Sequence, residues 1–193
     1  MNTSAIITAR YNSERLPGKV LLDIEGKPML RHVYDSARAS LSSAVIATTA
    51  MSQPIIDYCD REGMTYYIGD EEDILDRLYQ SATQFEADMV VRLWGDSPLI
   101  SPHDIDYAIS QQNKTQVIYY TYKTPFGCIS VMPYSFLKYC WHNVTNPDDR
   151  HWIHNHMSKF GETAGNDPIF TVDTQRDLDK VREIVRHQSD KPS

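Results

Sequence analysis

Three cations, Arg10, Arg15 and Lys19, share the polar segment that follows the apolar run Ser4-Ala5-Ile6-Ile7-Thr8-Ala9, with Glu14 as the acid among them. A basic loop leaving the C-terminal end of a first β-strand is suited to holding a polyphosphate. The chain as a whole carries a formal net charge of -7, so this cluster runs against its background. Two carboxylates complete the pattern. Asp96 follows Gly95 after the strand-like Asp88-Met89-Val90-Val91-Arg92-Leu93-Trp94, and Asp173 follows Ile169-Phe170-Thr171-Val172. Magnesium takes one or two carboxylates plus phosphate oxygens. Two aspartates facing a cationic loop can therefore divide a nucleoside triphosphate, with metal at the α-phosphate and cations at the departing pyrophosphate. Each feature also has a plainer reading. The basic loop could be a solvated turn, Asp96 could bond to backbone N–H groups within its own turn, and Asp173 could cap a helix. Gly18-Lys19 is not a Walker A motif, and no G-x-G-x-x-G fingerprint occurs.

Elements of alternating type must position these residues. Residues 4–9, 44–49, 65–68, 88–94, 116–120, 128–132 and 169–172 read as strands. Helical patterns cover residues 28–40, 54–62, 71–86, 102–112, 133–141, 147–159 and 174–187, with Pro28 in the first turn of the first. Ile74, Leu75, Leu78, Tyr79 and Ala82 form the stripe of the third. The tail 189–193 is expected to fray. Strands alternating with helices predict one α/β domain over residues 1–193 with a mostly parallel central sheet, and ligands at the carboxyl ends of its strands.

Composition narrows the function. Hydrophobic residues make up 41% and charged residues 23%, as in ordinary globular proteins. The acidic balance argues against a nucleic-acid partner but leaves room for one local basic pocket. Cys59, Cys128 and Cys140 are scattered without a CxxC pair, which predicts reduced thiols and no zinc site. No secretory h-region and no membrane-length apolar run are visible, so a cytoplasmic protein with no membrane partner is expected. His151, His154 and His156 lack a Cys or acid to complete a ligand set, and a polar or acceptor-contacting helix is the simpler reading. Tyr119, Tyr120 and Tyr122 read as strand and rim residues.

The segments Ile6-Ile7-Thr8-Ala9-Arg10-x-x-Ser13-x-Arg15-Leu16-Pro17-Gly18-Lys19-Val20-Leu21-Leu22 and Gly26-Lys27-Pro28-Met29-Leu30 resemble the opening of the cytidylyltransferases that activate acidic sugars such as 3-deoxy-manno-octulosonate and sialic acid. The resemblance is strongest to their spore-coat-polysaccharide-F-like branch. It continues through Gly69, Asp73, Leu75 and Arg77, through Val91-Arg92, Gly95-Asp96 and Pro98-Leu99-Ile100, and through Thr171-Val172-Asp173-Thr174 with Asp177-Leu178. It implies a Rossmann-like, GT-A-like nucleotidyltransferase fold, CTP and a small anionic acceptor as substrates, magnesium as cofactor and a homodimer. The acceptor would be an acidic sugar or a phosphorylated or phosphonate molecule, and the product would serve surface polysaccharide or glycoconjugate synthesis. In this scheme Ala9, Arg10, Ser13, Arg15, Lys19 and Arg77 bind the nucleotide. Arg10, Lys19, Asp96 and Asp173 carry catalysis, and Asp96 and Asp173 hold the metal. Arg150 and His151 are candidates to meet the acceptor. The branch usually has Val-Glu soon after a glycine on a strand and later an Arg-Glu-His-Val-type segment. This chain instead has Gly127-Cys128-Ile129-Ser130-Val131 and Asp149-Arg150-His151-Trp152-Ile153, with neither glutamate. A glycosyltransferase using a nucleotide sugar, and a catalytically silent relative, are the rival readings. Pyrophosphate release separates them from the first.

Overall fold

A computed structural model describes residues 1–165 and 171–189. In chain order the elements are β1 (Thr3–Thr8), the short ribbon β2 (Asp23–Ile24) and β3 (Lys27–Pro28), α1 (Met29–Ser40), β4 (Ser43–Thr49), α2 (Gln53–Glu62), β5 (Tyr66–Gly69) and α3 (Ile74–Gln84). They continue with β6 (Met89–Trp94), α4 (Pro102–Thr115), β7 (Tyr120–Thr124), β8 (Gly127–Pro133), α5 (Tyr134–Asn143), α6 (Pro147–His151), α7 (Ile153–Met157), β9 (Glu162–Gly165) and α8 (Gln175–Ser189).

Seven strands form one sheet in the order β5-β4-β1-β6-β8-β7-β9, parallel except where β8 pairs with β6 and β7. Apolar residues follow one another along β1 because both faces are covered. Ala5 and Ile7 pack with Leu30, Val33, Ile55 and Ile105 of α1, α2 and α4. Ile6 points the other way, among Leu75, Leu78, Phe136, Leu137 and Ile153 of α3, α5 and α7. A smaller cluster of Ile24, Met29, Val172, Leu178 and Val181 seats α8 against the ribbon. The strand order reverses between β1 and β6, the switch point at which open α/β sheets present a crevice.

Several expected boundaries move. Pro28 stands at the N-cap of α1 and pairs with Asp23, one step before the helix rather than within its first turn. The strand expected at 116–120 begins at Tyr120, because α4 runs on to Thr115 and Gln116 caps it in the left-handed conformation at φ 56. The helix expected over 147–159 breaks at Trp152 into α6, α7 and a terminal 3-10 turn at Ser158–Phe160. The expected strand 169–172 lies partly outside the described residues, and Thr171 and Val172 are not in a strand; most of the tail 189–193 also lies outside them. No helix among the described residues is long and apolar enough to cross a membrane. Cys59, Cys128 and Cys140 are buried.

Candidate active site

The basic loop is built around local backbone bonds. Tyr11 N donates to Ser52 Oγ at 2.9 Å, and Ser52 is fully buried with Thr49 Oγ1 at 3.1 Å. Ser13 N and Gly18 N both donate to Tyr11 O at 2.9 Å, which folds the segment back on itself. Gly18, at φ 69, then turns the chain into the 3-10 turn Lys19–Leu21. This turn buries Lys19 and sends its side chain to the ends of β1 and β6.

Lys19 Nζ donates to Asp96 Oδ2 at 2.6 Å, to Val172 O at 2.8 Å and to Asp173 Oδ1 at 2.9 Å. Arg15 Nη2 also reaches Asp173 Oδ1, at 2.8 Å. The lysine side chain is 9% exposed, whereas those of Asp96 and Asp173 are 25% and 21% exposed and open to the cleft. Gly95 N to Thr8 O at 2.9 Å fixes the Asp96 turn against β1, and Val172 N to Asp96 O at 3.1 Å ties the Asp173 segment to that turn. Asp173 is not the helix cap. Thr174 fills that role: Asp177 N donates to its Oγ1 at 3.3 Å while Thr174 N donates to Asp177 Oδ2 at 2.9 Å, a reciprocal capping box. Burial opposes it, but bonds from Thr174 Oγ1 at 2.8 Å and from the backbone N–H groups of Asp173 and Thr174 hold the Asp177 carboxyl below the usual carboxylate range. The Asp173 carboxylate is left for the cations.

These groups line a cleft of about 640 Å³. Of the expected residues, Ala9, Arg10, Ser13, Arg15, Lys19, Arg77, Asp96, Asp173 and His151 all border it. Arg77 is buried, with Nη1 donating to Asp70 O at 2.8 Å and Nε without a partner. Burial lowers its pKa to about 10; Arg92 and Arg10 push the same way and Glu71 opposes them. His151 Nδ1 lies 2.8 Å from Glu72 O, a contact that requires the Nδ1–H tautomer.

Arg150 does not border the cleft. Its Nε binds Asp73 Oδ2 at 2.6 Å and its Nη1 donates to Trp141 O at 3.1 Å and Val144 O at 2.8 Å, so it fastens α6 to the start of α3. Tyr119, Tyr120 and Tyr122 are likewise away from the cleft; Tyr119 is buried, its hydroxyl donating to Ser130 Oγ at 3.0 Å.

Sequence reasoning did not single out Glu71, Glu72, Arg92, Trp94 or Trp152 as site residues, and all five line the cleft. Arg92 had a visible signal, a lone charge inside an apolar strand. His154 also lines it, and burial lowers its pKa to about 4, with Arg92 and Lys123 pushing the same way. The three histidines form no metal centre: no group of three or more His, Cys, Asp or Glu that could hold an ion occurs among the described residues.

Known proteins resemble this chain in sequence and in fold. The chain is 45% identical over 114 residues to 3-deoxy-manno-octulosonate cytidylyltransferase of Geobacter sulfurreducens, an alignment covering 57% of this chain and 45% of that protein. With the Escherichia coli enzyme of the same name it shares 41% over 105 residues, 52% of this chain and 42% of the other. The match thus spans less than half the length of these curated relatives. Over 97% of the chain it is 27% identical to an uncharacterized protein of Methanocaldococcus jannaschii, covering 84% of that protein. Its fold is that of a cytidylyltransferase from Leptospira borgpetersenii, with TM-score 0.81 at 20% identity over 100% of this chain and 99% of that one. It is equally that of CMP:2-keto-3-deoxy-manno-octonic acid synthetase complexed with CTP, with TM-score 0.80 at 22% identity over 97% of this chain and 100% of the other. The cytidylyltransferase family model matches residues 4–145, and the chain belongs to that family.

Proposed function

We propose that this protein transfers the cytidylyl group of CTP to a small anionic acceptor and releases pyrophosphate. The observation that carries this reading is the convergence of Asp96 and Asp173 on one buried ammonium, 2.6 and 2.9 Å from Lys19 Nζ, beside a loop of further cations. Family membership and the names of the curated relatives support the choice of CTP. Two carboxylates that both reach one central cation, and still face the cleft, form a hard-oxygen donor pair that fits magnesium with substrate phosphates completing its shell. The chemistry magnesium supplies in such a place is charge neutralisation at the α-phosphate and a lowered pKa for the attacking hydroxyl.

The chain's own residues do the rest. The acceptor oxygen attacks the α-phosphorus, the bond to the bridging oxygen breaks, and the acceptor proton leaves to solvent. Negative charge that grows on the departing pyrophosphate is met by Arg10, Arg15 and Lys19, of which Lys19 is buried and held by Asp96 and Asp173 before the reaction. Arg77, buried beside Glu71, frames the nucleotide pocket. We further place the product in surface polysaccharide or glycoconjugate synthesis, made by a homodimer.

Asp96→Asn tests the assignment. The variant is expected to lose pyrophosphate release while still binding CTP measurably in calorimetry. Unchanged release would defeat the proposal.

A further inference from the structure

The geometry points to Arg92 as the anchor for the acceptor's anionic group, on the Trp94–His154 side of the cleft that the triphosphate clamp also lines. This inference rests on the nucleotidyl-transfer reading above and adds the residue that selects the second substrate.

Arg92 lies near the C-terminal end of β6, is 5% exposed and borders the cleft. Its Nε is buried without a hydrogen-bond partner, and it forms no ion pair among the described residues. Its cross-strand partner on β8 is Ser130, a hydroxyl where a carboxylate could have stood, and Ser130 Oγ already accepts from Tyr119 at 3.0 Å. What Arg92 does have is an aromatic ring, with its guanidinium 5.7 Å from the centre of Trp94. A guanidinium removed from water with no counter-charge is unfavourable unless something anionic arrives to pair with it. The free Nε, with its neighbouring Nη, offers the planar fork that carboxylates and phosphates accept.

The surroundings fit a small anion and not a second nucleotide group. His154 of α7 stands over Trp94 at 5.9 Å between ring centres, uncharged at neutral pH because of its burial and of Arg92 and Lys123. It can exchange hydrogen bonds with hydroxyls without competing for the anion. Trp152, 57% exposed and 6.0 Å from the same histidine, leaves an aromatic face at the mouth. Arg92 and Asp96 are four residues apart on one strand end, about 13 Å at most along the backbone. A sugar-sized molecule held by Arg92 can therefore present a hydroxyl beside Asp96.

The experiment measures binding without turnover. Glucuronate, glucose 1-phosphate and neutral glucose are titrated at millimolar concentrations by ligand-observed NMR into wild type, Arg92→Met and Arg92→Lys, and CTP is titrated by calorimetry into the same proteins. The expected result is that one anionic probe binds wild type and glucose does not. Arg92→Met then weakens that probe by roughly thirtyfold or more while CTP affinity stays within about twofold. Arg92→Lys should fall between the two, and which probe binds distinguishes a carboxylate from a phosphate. Retained CTP binding shows that the variant is folded; should Arg92→Met not fold, Arg92→Lys carries the comparison. The inference is overturned if no anionic probe binds wild type, if the variants bind it as wild type does, or if CTP affinity falls by the same factor. Failure of wild type to bind CTP or release pyrophosphate is a separate result, and it sinks the nucleotidyl-transfer reading instead.

Discussion

With its ammonium 2.6 Å from Asp96 and 2.9 Å from Asp173, Lys19 holds together two carboxylates that come from turns far apart in the chain. Removing it leaves both acids facing each other without their shared cation and deprives the leaving pyrophosphate of a donor. Lys19→Met should therefore reduce kcat by about 10²–10³-fold, the usual effect of losing one preorganised donor. The same variant should bind Mn²⁺ more tightly without nucleotide, because the ammonium no longer competes for the carboxylates. Electron paramagnetic resonance of Mn²⁺ reads this directly, and unchanged metal affinity would show that Lys19 does not occupy that gap. The bland reading of Asp173 as a helix cap was sound on local grounds. It fails because Thr174 and Asp177 cap α8 between themselves, a difference of one residue that sequence alone could not settle.

At the scale of elements, the short helices α6 and α7 carry His151, Trp152 and His154 to the cleft, and their placement depends on Arg150. Its bonds to Asp73, Trp141 O and Val144 O are partly buried. Arg150→Ala should lower unfolding free energy by about 1–3 kcal/mol and raise the acceptor KM more than the CTP KM. Urea titration and steady-state kinetics check the two halves, and equal changes in both KM values would argue against a role confined to this wall. Gly127 sets another constraint. At φ 151 it starts β8 so close to the Asp96 turn that an added Cβ would stand 2.8 Å from Ser97 Cβ and 2.7 Å from Ile100 Cδ1. Gly127→Ala should cost about 1–3 kcal/mol and lower kcat by moving Asp96, measurable as a lower Tm together with slower pyrophosphate release. Long periodic elements such as α1, α3 and β6 were legible because burial on one stripe or both faces leaves a direct pattern. The break at Trp152 was not, since nothing local forbids a continuous helix there; α6 ends where Arg150 and His151 are drawn to α3 and its approach. β9 was missed for a related reason. Glu162–Gly165 carries no apolar alternation and exists as a strand through its parallel pairing with β7.

Across the whole molecule, the site's electrostatics feed back on stability. His154 is lowered to about 4 by burial, reinforced by Arg92 of β6 and Lys123 of β7, against 6.5 for a free side chain. Between these values the unfolded chain binds a proton that the folded chain refuses, so stability falls as pH drops from about 6.5 towards 4. His154→Gln should lose less stability than wild type between pH 7 and pH 5 in urea titrations, and an equal loss would assign the effect to other groups. The sequence by itself determined the alternating α/β order, the doubly buried strands, the basic loop and the two aspartates, because these follow from local composition and from periods of two and 3.6 residues. Only the tertiary structure decided which of these groups meet. The sheet order places the ends of β1 and β6 side by side, and α8 packing on the β2–β3 ribbon returns Asp173 to them. It also decided that Arg150 fastens a helix while Arg92 has no counter-charge among the described residues. Such pairings depend on contacts between residues tens of positions apart, which neither composition nor periodicity encodes.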